Sequence, residues 1–322
     1  MTSILSVLLS DVLPRVATIT LLIGIGVSLA NLAVAYGVVD VVGRAGRYLT
    51  EPANLPDEVG TAVLTNAVSV TAGYGMLAEF RESGVLDDRA TLIAIVVNTF
   101  FGFVQHIFTY YGPVLIPILG LSAGLMYVGA RAGISLAITL VGLAAGALLL
   151  RGVEYETRSG DGDAPEGIDE SDRTSTEPLR EAAEKTVERL RSIVPRLAVV
   201  YSVVFLALEY TDLKAVTGVA EPVTSLIGLP GAAVPIVAVS LVDPTSGAIA
   251  IAPMIGDVFT PREAVVTLLI GSLFSLTVGT VKRSIPFQYG IWGPAFGTKV
   301  IVVNTGLKAI FIVAAIGVFL VV

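Results

Sequence analysis

The chain has 322 residues, 54% of them hydrophobic and 15% charged, with a formal net charge of −7. A soluble domain carries about 25% charged residues, so this composition predicts an all-α, polytopic helical membrane protein. Cysteine is absent and His106 is the single histidine, which excludes disulfides and removes the usual ligands of zinc, haem and iron–sulfur sites; the acidic balance argues against nucleic-acid binding.

Residues 1–13 lack a basic leader region and include Asp11, so the first apolar segment is expected to stay as an anchor. Apolar segments then fall at 14–39, 59–77, 90–110, 114–150, 193–210, 232–255, 262–281 and 298–322. Most are near the length that crosses roughly 30 Å of hydrocarbon. The fourth is long enough for a short re-entrant piece ending near Gly120, followed by a full span. Residues 151–192 form the one sizeable polar stretch. Within it, 159–167 is acidic and rich in helix breakers and reads as disordered. After Pro178, Leu179, Ala183, Val187, Leu190 and Val194 follow a helical period, giving an amphipathic helix that leads into the fifth segment. The expected organisation is a first membrane repeat at 1–150, an acidic linker at 151–192 and a second membrane repeat at 193–322. Acidity with arginine favoured over lysine suggests a halophilic archaeon.

The halves echo each other in order. Leu13-Pro14-Arg15 matches Val194-Pro195-Arg196, Glu51-Pro52 matches Glu221-Pro222, and Ser69 falls against Ser240. Helix starts follow at Asp87-Asp88-Arg89 and at Thr260-Pro261-Arg262-Glu263, the second a full capping box. Beyond them, at an offset of 177, Pro117 and Gly120 meet Pro294 and Gly297, and Arg131 meets Lys308. The series predicts two homologous repeats, each with a broken or re-entrant helix. An odd number of crossings per half makes them inverted, an even number parallel.

Polar residues interrupt two of the apolar segments. One interruption holds Ser240, Asp243, Pro244, Thr245, Ser246 and Gly247. Pro244 cannot donate a backbone hydrogen bond and disfavours helix at Asp243. An Asp at the bilayer centre costs roughly 2.5–3.5 kcal/mol on insertion scales, so it should face a partner or a wet cavity. Asp243 then serves as a cation ligand, proton carrier or substrate acceptor, or it is the N-cap of a helix that starts at Pro244. The other interruption holds Asn66, Ser69, Thr71 and Tyr74. These suit a neutral polar solute, or else interhelical hydrogen bonding.

A second constellation pairs Gln105-His106 with Lys282-Arg283 at the same offset of 177, each pair preceding an aromatic, Pro/Gly-rich segment. Cationic positions there could meet a phosphate or carboxylate, or anchor the chain at the membrane interface. His106 could also relay protons. Asn31, Asn98, Arg131, Asn304 and Lys308 are further polar residues in apolar runs.

Tandem apolar repeats that open near Pro14-Arg15 and Pro195-Arg196, with small-polar breaks at 69–75 and 240–247, resemble the Gate or "nucleoside recognition" membrane proteins. Similar halves occur in concentrative nucleoside transporters, in the membrane part of ferrous-iron transporter B and in spore-maturation membrane proteins. The resemblance implies one pore or carrier built from both halves, with the breaks near its centre. No GTP-binding domain and no cysteine to serve iron are present, so "nucleoside" is a family label and not a substrate.

The expected function is a secondary transporter or permease, not an enzyme, for a small polar or anionic solute. It would work by alternating access, without a metal or cofactor beyond a coupling Na+ or H+. A lipid-headgroup or lipid-phosphate translocase and a non-transporting interaction protein are the alternatives. The expected setting is a multi-pass position in the plasma membrane with the linker cytoplasmic. The bilayer and the solute are the expected partners, and a homo-oligomer is compatible.

Overall fold

In the computed structural model, which describes residues 4–35, 50–153, 155, 177–210 and 224–321, the chain is built of helices and the described residues contain no strand. The polar stretch at 159–167, the Glu221-Pro222 pair and the side chain of Asn31 lie outside what is described. The helices are α1 (Leu13–Ala35), α2 (Asp57–Val68), α3 (Val70–Glu82), α4 (Asp88–Val97), α5 (Thr99–His106), α6 (Leu121–Leu149), α7 (Glu177–Tyr210), α8 (Ala233–Val242), α9 (Pro244–Ile251), α10 (Pro261–Gly279) and α11 (Ile285–Val321). Wider π-type turns join α5 to the short Ile116–Leu119 helix and α10 to α11.

Among the described residues, four helical stretches are long and apolar enough to cross a membrane: Leu8–Ile25, Asp88–Leu119, Leu121–Leu149 and Pro261–Val321. This is fewer than the eight apolar segments of the sequence. The segments at 59–77 and 232–255 are split into short helices, while those from 261 onward join end to end. The amphipathic and apolar parts of α7 form one helix that continues through Pro195.

Local chemistry sets the helix starts. Asp87 Oδ1 accepts from Ala90 N at 2.7 Å. Thr260 and Glu263 cap each other, with Glu263 N donating to Thr260 Oγ1 (3.2 Å) and Thr260 N donating to Glu263 Oε2 (2.7 Å). Both starts are where the sequence put them.

The breaks come in matched geometries. Ser69 (φ −141°, ψ 108°) ends α2 and caps α3 by accepting from Ala72 N at 3.3 Å. Asp243 (φ −150°, ψ 113°) ends α8 and caps α9 by accepting from Ser246 N at 2.8 Å. The break at Ser69 thus matches the break at Asp243 in backbone geometry, while Ser240 lies within α8. The turn at Glu51–Ala53 closes on Asn54 with Leu55 N donating to Thr50 O (3.2 Å), and the turn at Ser225–Ile227 closes on Gly228 with Leu229 N donating to Thr224 O (2.9 Å). The two turns share one form, with Glu51 and Ser225 at their first positions. Gly120 (φ 77°, ψ 166°) breaks the chain before α6, and Gly293 (φ 72°, ψ 165°) breaks α11 in the same way. Side-chain-bearing residues rarely adopt that conformation, so the two breaks match at Gly120 and Gly293, one helical turn from the expected Gly297.

Small residues let the halves of each break close. A Cβ on Gly73 would stand 2.6 Å from Asn66 Cβ, and one on Gly247 would overlap the Ser240 hydroxyl. Gly271 of α10 packs on the same serine, where a Cβ would lie 2.5 Å from Ser240 Cβ. On α6, Gly142 lies against Val97 and Gly146 against Ala53, whereas Gly129 and Gly133 face open space. Helices α1 and α7 run antiparallel, because Ser28 meets Thr186 (3.1 Å between hydroxyl oxygens) while Gly24 meets Leu190. At one end of the bundle, Asp88 accepts from Arg81 (2.7 Å) and Lys299 (2.8 Å), tying α3 and α4 to α11.

The break makes a direct prediction. Gly247→Val should lower stability by about 1–3 kcal/mol through overpacking, read as a fall in the unfolding temperature of the detergent-solubilised protein. Gly75→Ala, at a site with nothing within 4 Å, should show no fall. Equal behaviour of the two variants would refute the close approach.

Candidate functional site

A cavity of about 380 Å³ opens where the broken α2–α3 segment, α5, α6, α10 and α11 meet. Its wall holds Arg131 from α6, Lys308 from α11, Arg283 from the turn before α11 and His106 from the end of α5. Asn66, Asn98, Asn304, Tyr74 and Tyr111 add amides and phenols. No described carboxylate lines it.

Packing fixes the cations from behind. Arg131 Nε donates to Tyr111 OH at 3.3 Å, and its guanidinium carbon lies 5.8 Å from the centre of the Tyr127 ring. Tyr111 is held in turn by Phe103 and Tyr110, with ring centres 5.0 and 5.3 Å away. Aromatic faces attract a guanidinium without neutralising it, so Arg131 keeps its charge toward the cavity. Lys308 makes no hydrogen bond or ion pair with the described residues, and it feels the like charge of Arg131. His106 Nδ1 lies 2.9 Å from Gly102 O. A carbonyl only accepts, so this contact calls for the hydrogen on Nδ1.

The amides are placed by the break. Asn66 sits one turn before Ser69, in the last turn of α2. In the amide orientation that satisfies its neighbours, it donates to Val70 O (3.1 Å) and accepts from Asn98 Nδ2 (3.0 Å) and Gly102 N (3.3 Å). Asn304 Oδ1 is buried and has no hydrogen-bond partner among the described residues. A buried acceptor without a donor is costly, and here it borders the cavity.

Asp243 lies in a separate pocket of about 210 Å³, with Lys282, Arg283 and Ser275 in its wall. Its Oδ2 accepts from the Ser246 backbone N–H (2.8 Å) and hydroxyl (2.7 Å). Thr245 Oγ1 is 2.7 Å from Tyr110 OH, which links the second break to the aromatic group behind Arg131. Arg283 borders both pockets.

The residues expected from sequence therefore divide. Asn66, Tyr74, His106 and Arg283 meet at the basic cavity, and Asp243, Lys282 and Arg283 meet at the smaller pocket. Ser69 and Ser246 act in the caps. Ser240 is buried, donates to Ile236 O (2.8 Å) and serves the glycine contacts, so it faces neither pocket. Thr71 and Gln105 line neither. Arg131, Lys308, Asn98 and Asn304 stand out in sequence as polar residues in apolar runs, the first two also as a repeat pair, and all four line the cavity.

No protein-family model matches the chain, and no solved structure matches it. It is similar to three proteins of Methanocaldococcus jannaschii. The uncharacterized protein MJ0880 is 24% identical over 298 residues, 91% of this chain and 94% of its own length. The uncharacterized protein MJ0871 is 27% identical over 253 residues, covering 77% and 76%. The uncharacterized protein MJ1556 is 20% identical over 285 residues, covering 87% of each.

Proposed function

We propose that the chain is a multi-pass plasma-membrane transporter for an anionic solute, with the basic cavity as its binding site. The observation that carries this reading is the convergence of Arg131, Lys308, Arg283 and His106 on one cavity with no described carboxylate in its wall. Cations inside a membrane protein are costly and ordinarily pair with a counter-charge. An anionic ligand supplies that counter-charge, and the amides of Asn66 and Asn98 lie beside it as further polar contacts. Sulfate, phosphate and small carboxylates fit this chemistry; a neutral nucleoside leaves the cations unpaired.

Two homologous, inverted repeats suit the matched breaks. Helices α1 and α7 open the two halves and pack antiparallel. That is the relation an axis in the membrane plane generates. The Gate resemblance adds a precedent for two such halves around one pathway. The polar stretch at 151–192 is assigned to the cytoplasm by its basic cluster. Transport proceeds by alternating access, with Asp243 as the group that couples to Na+ or H+. Because Arg283 borders both pockets, the solute and the Asp243 carboxylate compete for one guanidinium.

Trp292 is the single tryptophan of the chain and lies 6.1 Å from the Tyr74 ring, so its fluorescence reports on the cavity. Titration of the purified protein with inorganic phosphate, sulfate and small carboxylates should give a saturable change with at least one of them, and uridine should give none. Proteoliposomes should then accumulate the binding anion. A response to uridine alone would overturn the anion assignment.

A further inference from the structure

We infer that Tyr110 is a positioning residue that ties the orientation of Arg131 in the basic cavity to the second break, through Thr245 on one side and Tyr111 on the other. The inference rests on the anion-cavity reading and adds a route by which the second break reaches the solute.

Neither Thr245 nor Tyr110 lines the basic cavity or the Asp243 pocket. Each step from Thr245 to Arg131 is nevertheless a direct contact. Thr245 lies in the first turn of α9, two residues after Asp243. Its Oγ1 is 2.7 Å from Tyr110 OH. The Tyr110 ring meets the Tyr111 ring edge-on, with centres 5.3 Å apart. Tyr111 OH then accepts from Arg131 Nε at 3.3 Å, the one hydrogen bond that this guanidinium makes among the described residues.

The wide turn at Ile107–Leu115 makes this arrangement possible. Pro113 has no N–H to give, and Gly112 runs so close to Ile107 that a Cβ would stand 2.9 Å from its carbonyl oxygen. Turns of this kind inside helices are uncommon and concentrate at functional sites. Consecutive residues of the turn serve different helices. Tyr110 reaches Thr245 of α9, while Tyr111 reaches Arg131 and Tyr127 of α6. Just past the turn, Gly124 of α6 closes on the chain, where a Cβ would lie 2.9 Å from Ile116 Cα. Contacts this tight transmit small displacements and do not absorb them.

The carboxylate of Asp243 holds the same first turn of α9, accepting from the Ser246 backbone N–H and hydroxyl. A change in its charge alters that cap and the seat of Thr245. The Tyr110 hydroxyl follows Thr245, Tyr111 follows Tyr110, and the guanidinium turns relative to the cavity. Arg283 thus joins the two pockets by charge, and the tyrosine pair joins them by position.

The test reads Trp292 fluorescence of the full-length protein in detergent, titrated with inorganic phosphate, sulfate and succinate, and follows the tightest of the three. Thr245→Val and Tyr110→Phe each remove one hydroxyl of the pair and keep the shape of the side chain. Each should weaken binding roughly three- to tenfold, within the range of coupling between contacting residues. Thr245→Ser, which keeps the hydroxyl, should bind like the wild type. In a Tyr111→Phe background, where the hydroxyl that holds Arg131 is gone, neither substitution should weaken binding further by more than about twofold. A purely structural role predicts instead a lower unfolding temperature in both backgrounds, with affinity unchanged or with losses that add. Wild-type affinity in both Thr245→Val and Tyr110→Phe, or losses that persist in full in the Tyr111→Phe background, overturns the positioning role and leaves the anion cavity standing. Failure of the wild type to bind any of the three anions overturns the cavity assignment and this inference with it.

Discussion

Lys308→Gln should lose anion binding by roughly 10- to 100-fold and yet unfold at a higher temperature than the wild type. The loss follows from removing one charge-assisted hydrogen bond, worth about 1.5–3 kcal/mol, where about 1.4 kcal/mol is tenfold in affinity. The gain in stability follows from the neighbours. Lys308 faces the like charge of Arg131, has no hydrogen bond or ion pair among the described residues, and no described carboxylate borders the cavity. Neutralising it removes a repulsion and a desolvation cost and breaks no bond that the structure shows. A charge kept for folding behaves in the opposite way, because its loss orphans a partner. The opposed signs are therefore the diagnostic, and the measurement is a pair of curves, thermal unfolding and anion titration, on one preparation. A lower unfolding temperature with unchanged binding would show that Lys308 is structural.

Arg131→Lys refines the same test. It keeps the charge but gives up the hydrogen bond to Tyr111 and the planar stack on Tyr127. Arginine and lysine are not equivalent at such a site. Weaker binding by the lysine variant, with the charge intact, would assign part of the affinity to the positioning of the guanidinium by the aromatic group.

The sequence makes the chemistry of single positions legible and leaves their convergence hidden. Asp243-Pro244 reads as a helix break because proline and capping are local, and the break is found there. Thr260 and Glu263 are legible for the same reason. Register between the halves is not local. A slip of one turn along a helix leaves nearly the same residues on the same face, so Arg131 can be set against Lys308 by eye while the backbone pairs Gly120 with Gly293. Both cations reach the same cavity because α6 and α11 pack together. Ser240 misleads for a different reason. A serine in an apolar helix looks like a site residue, but its hydroxyl is satisfied by Ile236 O within its own helix and its small size is what Gly247 and Gly271 require. The polarity of Asn98 and Asn304 is visible in sequence, and only packing reveals that both face one cavity.

Asp243→Ser should keep the fold and stop coupled transport, and the protein contains its own control for that claim. Ser69 holds the corresponding break with nearly the same backbone angles and caps its helix with a hydroxyl. A serine is therefore enough for capping in this geometry, and serine and aspartate rank about equally as N-caps. The carboxylate at 243 exceeds that need. It lies in a pocket with Lys282 and Arg283, and Arg283 also borders the basic cavity. If Asp243 draws Arg283 away from the cavity until a cation or proton neutralises it, removing the charge leaves Arg283 free for the anion at all times. Asp243→Ser should then bind the anion at least as tightly as the wild type, with an unfolding temperature close to wild type, while accumulation in proteoliposomes no longer responds to an imposed Na+ or proton gradient. Asp243→Ala, which also removes the cap, should in addition lose about 1 kcal/mol of stability. Gradient-driven uptake at the wild-type rate by Asp243→Ser would reduce Asp243 to a capping residue and move the coupling site elsewhere, with His106 the next group to test.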